Sequence, residues 1–492
     1  MYDSFLADIA ATGPILFVAA LGVIVVLLDS FRNDSPAIPW LAGIGMAAAA
    51  VWQAFWVASP GVAFEGQVYV GGAAAIANVI VLVGAIGSLA LTVPYLSRLG
   101  RNYGEVHALI LFATAGMMTL ASAGSLVTLF VGLETMSVCL YVLTGLVREE
   151  STANESALKY FLLGAFSTGF FLYGLALLYG ATGTTELALL ADGLAVTGRS
   201  GLFLAGVGLL LVGFFFKVSA VPFHMWTPDV YQGAPTSLTA FMSTASKAAT
   251  FAALAVVLAR ALPPDLVDGS VQLVLAVVAA VTMVGGNVVA LAQTNVKRML
   301  AYSSVAHAGY ILAGLAAGSE AGYGAALFYL LAYTLMNVGA FGVMGALEWD
   351  DEQGADQTLD SLAGVGYRKP LLGVTMGVFM FALTGFPPFA GFIGKYLVFA
   401  AAVRADLVWL AVLGVLASVV SGYYYIRVLV TMWMRSPDEA PDNARQPFPV
   451  GTATAIVVTV CAVALLVLGI LPAGLIDVTA AAFGAEALAV TP

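Results

Sequence analysis

Long apolar stretches alternate with short polar ones along the whole chain. A helix needs about 20 apolar residues to cross a bilayer. Fourteen stretches meet that requirement, near 11–31, 38–58, 70–96, 104–122, 124–147, 155–180, 201–223, 236–262, 270–294, 298–317, 322–347, 370–403, 406–430 and 450–476. They are rich in Leu, Ala and Gly, and they are too long for barrel strands, which run about 10 residues with alternating polarity. The pattern predicts an all-α polytopic membrane protein, a single membrane domain over residues 1–492 with 14 transmembrane helices. The first stretch is followed by DSFRND without a small-residue cleavage site, so it reads as a retained helix and not as a signal peptide. The polar segments, TGTTELALLADGLAVTGRS among them, read as connecting loops without a core of their own.

Two apolar stretches are interrupted. They are LLLVGFFFKVSAVPFHMWTPDVYQGAPT and FMFALTGFPPFAGFIGKYLVFAAAV, and each combines a lysine with prolines and glycines. Proline removes a backbone donor and breaks the helix. At membrane depth such a break is tolerated only inside protein or along a wet cavity. Paired broken helices in corresponding places point to inverted repeats with an ion path between them. The breaks lie five spans apart, which predicts two inverted five-helix repeats, at 104–262 and 270–430, with two broken helices.

Composition adds to this picture. Charged residues make up 9% of the 492 and hydrophobic ones 61%, against about 25% charged in soluble domains. The net charge of −10 arises from acidic loops such as EWDDEQGADQTLD and SPDEAPDNARQ, and it argues against nucleic acid or an anionic lipid surface as partner. Cys139 and Cys461 lie far apart in apolar stretches, have no metal-ligand spacing, and read as packing residues. Fourteen spans group Arg32, Arg98, Arg101, Arg148, Lys297, Arg298, Arg368, Lys369, Arg435 and Arg445 on one side, with Arg427 at a helix end. The other side has only Arg199, Arg260 and Arg404. The positive-inside rule makes the first side cytoplasmic and puts both termini outside.

Against this background, four of the six lysines and one glutamate fall inside or at the edge of apolar stretches. Charges at membrane depth are costly and mark ion pathways, and lysine can lose its proton when desolvated, which arginine cannot do. Glu134 is centred in its span and needs a partner from another helix. It either pins two helices as an ion pair or tunes a neighbouring lysine. Lys217, after Gly-Phe-Phe-Phe and before Pro222, is a proton-carrier candidate, with snorkelling to the interface as the alternative. Lys395 follows the second break and is read as its counterpart. Lys247 is mid-helix beside Ser243, Thr244 and Ser246, as in a hydrated wire. Lys159 lies near a helix start, where snorkelling or pairing with Glu155 four residues earlier competes with a functional role. His307, near Ser303, Ser304 and Tyr310, suits a proton relay, against the alternative of a core histidine. His224 lies at a break by Trp226, where lining and structure weigh equally, and His107 carries no assignment. There is no Walker motif, no dinucleotide fingerprint, no Cys cluster and no haem or flavin signature, so this chain is expected to bind no cofactor.

The stretches NESALKYFLLGAFSTGFFLYGLALLYGATG, FKVSAVPFHMWTPDVYQGAPTSLTAFMSTASKAATFAAL, NVVALAQTNVKRMLAYSSVAHAGYIL and LTGFPPFAGFIGKYLVF closely resemble subunit N of bacterial NADH-quinone oxidoreductase, respiratory complex I, in the antiporter-like subunit family. The resemblance spans most of the chain. It implies a proton-translocating membrane-arm subunit with fourteen helices and two inverted five-helix units. Protons would move along a Glu/Lys/His axis, coupled to quinone reduction elsewhere. Glu134 matches the acidic residue paired with the lysine of span seven, Lys217. Lys247 matches the central lysine of span eight, Lys395 the charged residue of span twelve leading outward, and Lys159 a basic position of span six. His307 falls on the polar axis of span ten. The implied partners are other membrane subunits of the complex, a second antiporter-like subunit on one side and small subunits on the other, together with the lipid bilayer and protons. NADH, FMN, iron–sulfur clusters and quinone would be handled by other subunits, and the implied location is the bacterial inner membrane. A long lateral helix after span fourteen is not expected here. The rival reading is a stand-alone Na⁺/H⁺ antiporter module of Mrp type.

Overall fold

The computed structural model describes residues 2–32, 35–98, 100, 103–147, 149–197, 200–264, 269–348, 357–440 and 450–484. Arg101, Arg148, Arg199 and Arg445 lie outside the described residues.

The chain begins with α1 (Tyr2–Ala11), α2 (Gly13–Phe31) and α3 (Ala37–Trp56), then a hairpin of β1 (Gly61–Ala63) and β2 (Val68–Val70). Next come α4 (Gly72–Arg98), α5 (Gly104–Ala121), α6 (Leu126–Thr144), α7 (Ser151–Thr182), α8 (Leu187–Thr197), α9 (Gly201–Val218), α10 (Thr227–Gly233) and α11 (Thr236–Arg260). The remainder is α12 (Ser270–Leu291), α13 (Val296–Ala316), α14 (Glu320–Ala346), α15 (Val365–Arg368), α16 (Pro370–Thr384), α17 (Ala390–Arg404), α18 (Val408–Met434), α19 (Thr452–Ile470) and α20 (Ala473–Ala481).

Thirteen of these helices are long and apolar enough to cross a membrane. The stretch read as 370–403 is two helices, α16 and α17, separated by Gly385–Phe389. The thirteen helices and this broken pair account for the fourteen apolar stretches. The helix starts follow local chemistry. Ser125, Ser200, Asn295 and Ser319 each accept a backbone N–H from their own helix's first turn, at α6, α9, α13 and α14. Gly183 and Gly385 end α7 and α16 with φ of 75° and 85°, in a left-handed conformation that glycine adopts without steric cost.

Two segments expected to be plain loop carry structure. Residues 182–200 contain α8, whose Leu187, Leu190 and Leu194 recur at helical spacing and are buried. The segment between α3 and α4 forms the β1–β2 hairpin, whose Tyr69 N–H is bonded to the Ser122 carbonyl after α5.

Helices α11, α13 and α14 form the centre and are buried along almost their whole length. Helices α2, α3, α7 and α19 surround them and expose apolar side chains such as Leu27, Phe55, Phe166 and Val460 outward, as a lipid-facing or subunit-facing layer requires. Close helix approach depends on glycine. A Cβ on Gly309 of α13 would lie 2.7 Å from the Met283 backbone nitrogen of α12. At one end of the bundle Arg98 donates to the Glu348 and Gly345 carbonyls, and Arg435 pairs with Asp360. This is the end at which the sequence collects its basic residues.

Candidate functional site: a buried polar axis

Each break in the apolar helices frees backbone carbonyls, and each is satisfied differently. After α9, the Trp226 indole Nε1 donates to the Phe216 carbonyl at 3.0 Å. Ser219 adopts φ 66°, and its hydroxyl accepts from Thr227. After α16, the Lys395 ammonium donates to the Leu383 and Thr384 carbonyls, both at 2.9 Å, and to Ser418 Oγ at 2.7 Å. A cation suits the carbonyl end of a helix. The two lysines therefore stand on opposite sides of their breaks: Lys217 ends α9, whereas Lys395 sits inside α17 and reaches back across the gap. The positional match expected from the sequence does not hold, because only the second break uses a lysine to cap its carbonyls.

Lys217 is 5% exposed. Its ammonium donates to Ser137 Oγ at 2.6 Å and Tyr141 Oη at 3.2 Å on α6, and it lies over the Tyr141 and Tyr160 rings at 5.2 and 5.8 Å. Glu134 sits one turn away on α6, but its Oε1 accepts from Thr168 of α7 at 2.7 Å. Among the described residues, no ion pair joins Glu134 to Lys217. Glu134 is half-buried, and the exposed Val131 and Val138 beside it turn its face toward the rim of the bundle.

Lys247 is 1% exposed at the centre of α11. It donates to the Ser304 carbonyl at 2.9 Å and to Ser304 Oγ at 2.5 Å. Tyr333 of α14 donates to the same Oγ at 2.8 Å, and its ring lies 5.3 Å from that of His307. His307 bonds on both nitrogens, to Tyr329 at 2.8 Å and to Tyr425 at 3.1 Å. Tyr425 also bonds Ser303, and its ring lies 4.4 Å from that of Tyr424. Tyr424 donates to Asn287 Oδ1 at 2.9 Å, and Asn287 donates to Tyr310 Oη at 3.0 Å. The Tyr310 ring carries the Lys395 ammonium at 4.6 Å. Hydrogen bonds and ring contacts therefore link Lys247 to Lys395 across α11, α13, α14, α18, α12 and α17, with tilted ring contacts as the steps from Tyr333 to His307 and from Tyr425 to Tyr424. Neither lysine has a carboxylate partner among the described residues. Beyond Lys395, a lateral groove of about 820 Å³ between α17 and α18 runs from Lys395 and Ser418 to Arg404 and Val408 at the end opposite the basic one.

Lys159 does not join this axis. Its side chain is 42% exposed, and it pairs with Glu155 at 2.7 Å and Asp229 at 2.8 Å. Asp229 of α10 also binds Arg298 of α13 at 2.7 Å. This cluster ties α7, α10 and α13 together at the basic end. His224 is half-buried at the first break, against the Tyr302 ring. His107 is buried at the start of α5, where its Nδ1 bonds the Tyr103 carbonyl. Neither lies on the axis. Lys297, read as a loop cation, is instead 3% exposed, donates to the Ala234 carbonyl, and lies 3.8 Å from Glu348. Burial, and after it the Glu348 carboxylate, holds the nearby Glu150 carboxyl above the ordinary carboxylate range, while Lys297 pulls the other way.

The chain matches the family model described as NADH:quinone oxidoreductase/Mrp antiporter, TM, over residues 123–421. It is 56% identical to NADH-quinone oxidoreductase subunit N of Salinibacter ruber, over 100% of this chain and 99% of that one. It belongs to the subunit N family of NADH-quinone oxidoreductases. The subunit N of Trichlorobacter lovleyi is 44% identical over 93% of each chain. A chain of respiratory complex I from Thermus thermophilus with bound Aureothin superposes with a TM-score of 0.81 at 36% identity, covering 95% of this chain and 99% of that one. A chain of the Mrp complex from Dietzia superposes at 0.86 with 22% identity over 98% of each, a likeness of fold. As a member of this family, the chain is a multi-pass membrane subunit of an oxidoreductase, and its partners are other subunits of that complex.

Most of the axis consists of residues that carried no charge signal in the sequence: Tyr329, Tyr333, Tyr424, Tyr425, Asn287 and Ser418, and the same holds for Tyr141 at the Lys217 site. A tyrosine in a membrane helix ordinarily marks the headgroup belt. The available signal was the spacing of four between Tyr329 and Tyr333, and between Ser303 and His307, which puts each pair on one helix face.

Proposed function

We propose that this subunit carries protons through the membrane along the buried axis, driven by quinone reduction elsewhere in the complex. The basic end faces the cytoplasm of a bacterial inner membrane, by the positive-inside rule, and both termini face outward. A proton enters toward Lys247, passes by way of Ser304, His307 and Tyr425 to the Tyr310 hydroxyl, which Asn287 orients, and leaves from Lys395 by the lateral groove. Lys247 and Lys395 are held by neutral oxygens, with no fixed counter-ion, so either protonation state can be accommodated as surrounding charge changes. Glu134 is the variable charge. A movement that brings it from Thr168 to Lys217 favours the ammonium, and its return releases the proton. Lys159 acts from the side, through the Asp229 cluster that holds α10.

The observation that carries this reading is the chain of hydrogen bonds and ring contacts between Lys247 and Lys395. A subunit that only filled space would be more stable with apolar residues there. The same reading divides the bundle into two inverted five-helix units, 104–262 and 270–430. In support, α5 packs on α6 and α11 as α12 packs on α13 and α18. The neighbours are a second antiporter-like subunit on one side and small membrane subunits on the other, while NADH, FMN, iron–sulfur clusters and quinone belong to other chains.

The test is proton pumping by the reconstituted complex carrying Lys217→Ala or Glu134→Ala. The expected result is an assembled complex that moves fewer protons per NADH. Full pumping by an assembled Lys217→Ala complex would remove Lys217 from the pathway.

A further inference from the structure

The run of hydrogen bonds and ring contacts ends at Lys247 and does not reach Lys217. Ser137, Tyr141 and the Tyr160 ring hold Lys217, while Ser304 holds Lys247. One side chain spans the space between them. Tyr231 of α10 is 0% exposed, and among the described residues its hydroxyl makes no hydrogen bond within 3.5 Å, with Ser304 beyond that distance as the side chain it faces. Its electrostatic neighbours are Tyr333 and Ser304 of the Lys247 site and Tyr160 of the Lys217 site. Trp226 stacks on Tyr160 at 4.6 Å and meets the Tyr231 ring edge-on at 6.0 Å, so the aromatic contacts are continuous. Asp229, two residues earlier, anchors α10 to both α7 and α13.

An unpaired buried hydroxyl is costly, so native structures keep one where water or function satisfies it. A phenol both donates and accepts. We propose that the Tyr231 hydroxyl, completed by one bound water, is the proton step between Lys217 and Lys247. This rests on the proposed pathway and adds a residue to it. The Lys217 ammonium gives a proton to the water and ends neutral, the water passes one of its own protons to the Tyr231 oxygen, and the Tyr231 O–H proton passes to Ser304 Oγ. Ser304 in turn passes its hydroxyl proton to neutral Lys247 Nζ. Both hydroxyls end neutral and reoriented, and the net change is one proton moved.

The experiment is Tyr231→Phe in the whole complex, beside Lys247→Ala. The hydroxyl makes no formed hydrogen bond to the described residues, so its removal is expected to leave the melting temperature of the complex unchanged, which separates a relay from a structural role. Protons moved per NADH are expected to fall by this subunit's share. An assembled Tyr231→Phe complex with the wild-type ratio overturns the relay if Lys247→Ala still lowers that ratio. If both variants pump fully, the pathway itself fails. Should Tyr231→Phe not assemble, a high-resolution map of the wild-type complex decides. Ordered water within hydrogen-bond distance of Tyr231 Oη on the side of Lys217 supports the relay, and a dry gap between Tyr231 Oη and Lys217 Nζ overturns it.

Discussion

Replacing Tyr425 by Phe removes one oxygen from the middle of the axis and leaves the ring in place. That oxygen is bonded to Ser303 and, at 3.1 Å, to His307 Nε2, in a residue that is fully buried. The substitution opens no space for a large rearrangement, so both partners stay buried and lose a bond. An unsatisfied buried partner costs about 1–3 kcal/mol. Placed on the proton path as a barrier, that cost slows transfer by about 5- to 160-fold, since about 1.36 kcal/mol corresponds to tenfold. The assay is the complex in sealed liposomes, with NADH oxidation followed by absorbance and lumen acidification by a pH-sensitive dye. Assembly is checked on a native gel. The expected outcome is a normally assembled complex with fewer protons moved per NADH. An assembled Tyr425→Phe complex with the wild-type ratio would show that protons do not pass this hydroxyl.

Asp229→Asn removes the acceptor charge of two partly exposed ion pairs. Such pairs are each worth about 0.2–1 kcal/mol, so thermal unfolding should show a loss of no more than about 2 kcal/mol. Gly391→Ala places a Cβ 1.9 Å from the Ala382 carbonyl oxygen, a backbone atom that cannot swing aside. Overpacking of this kind costs about 1–3 kcal/mol or more, so the yield of assembled complex should fall. Lys247→Arg keeps the charge but introduces a group that stays protonated. Pumping should drop as it does for Lys247→Ala, and wild-type pumping by Lys247→Arg would argue that Lys247 never releases its proton.

The transmembrane pattern was legible because lipid imposes length and polarity on each segment separately. The fourteen apolar stretches needed no knowledge of their neighbours, and the two breaks announced themselves as Pro222 and Pro387–Pro388. The charged members of the axis were legible for the same reason, since Lys247 stands out in LTAFMSTASKAATFAAL. The partners were not. Whether Glu134 bonds Lys217 or Thr168 depends on how α6, α7 and α9 are rotated against one another, and residue spacing within one helix does not set that. Lys297 followed a loop and counted as an interfacial cation, yet α13 begins below the protein surface and buries it. The tyrosines gave no charge signal because their polarity is a single hydroxyl on an apolar ring. Membership of the subunit N family follows from the sequence as a whole, while the arrangement of the side chains comes from packing.

The most direct measurement is the number of protons moved per NADH by the assembled, reconstituted complex carrying Lys247→Ala. Lys247 is where the run of hydrogen bonds and ring contacts to Lys395 begins, at the buried centre of α11. Conduction along this axis predicts a ratio below that of the wild type by the share this subunit carries. A wild-type ratio from a fully assembled complex would contradict it.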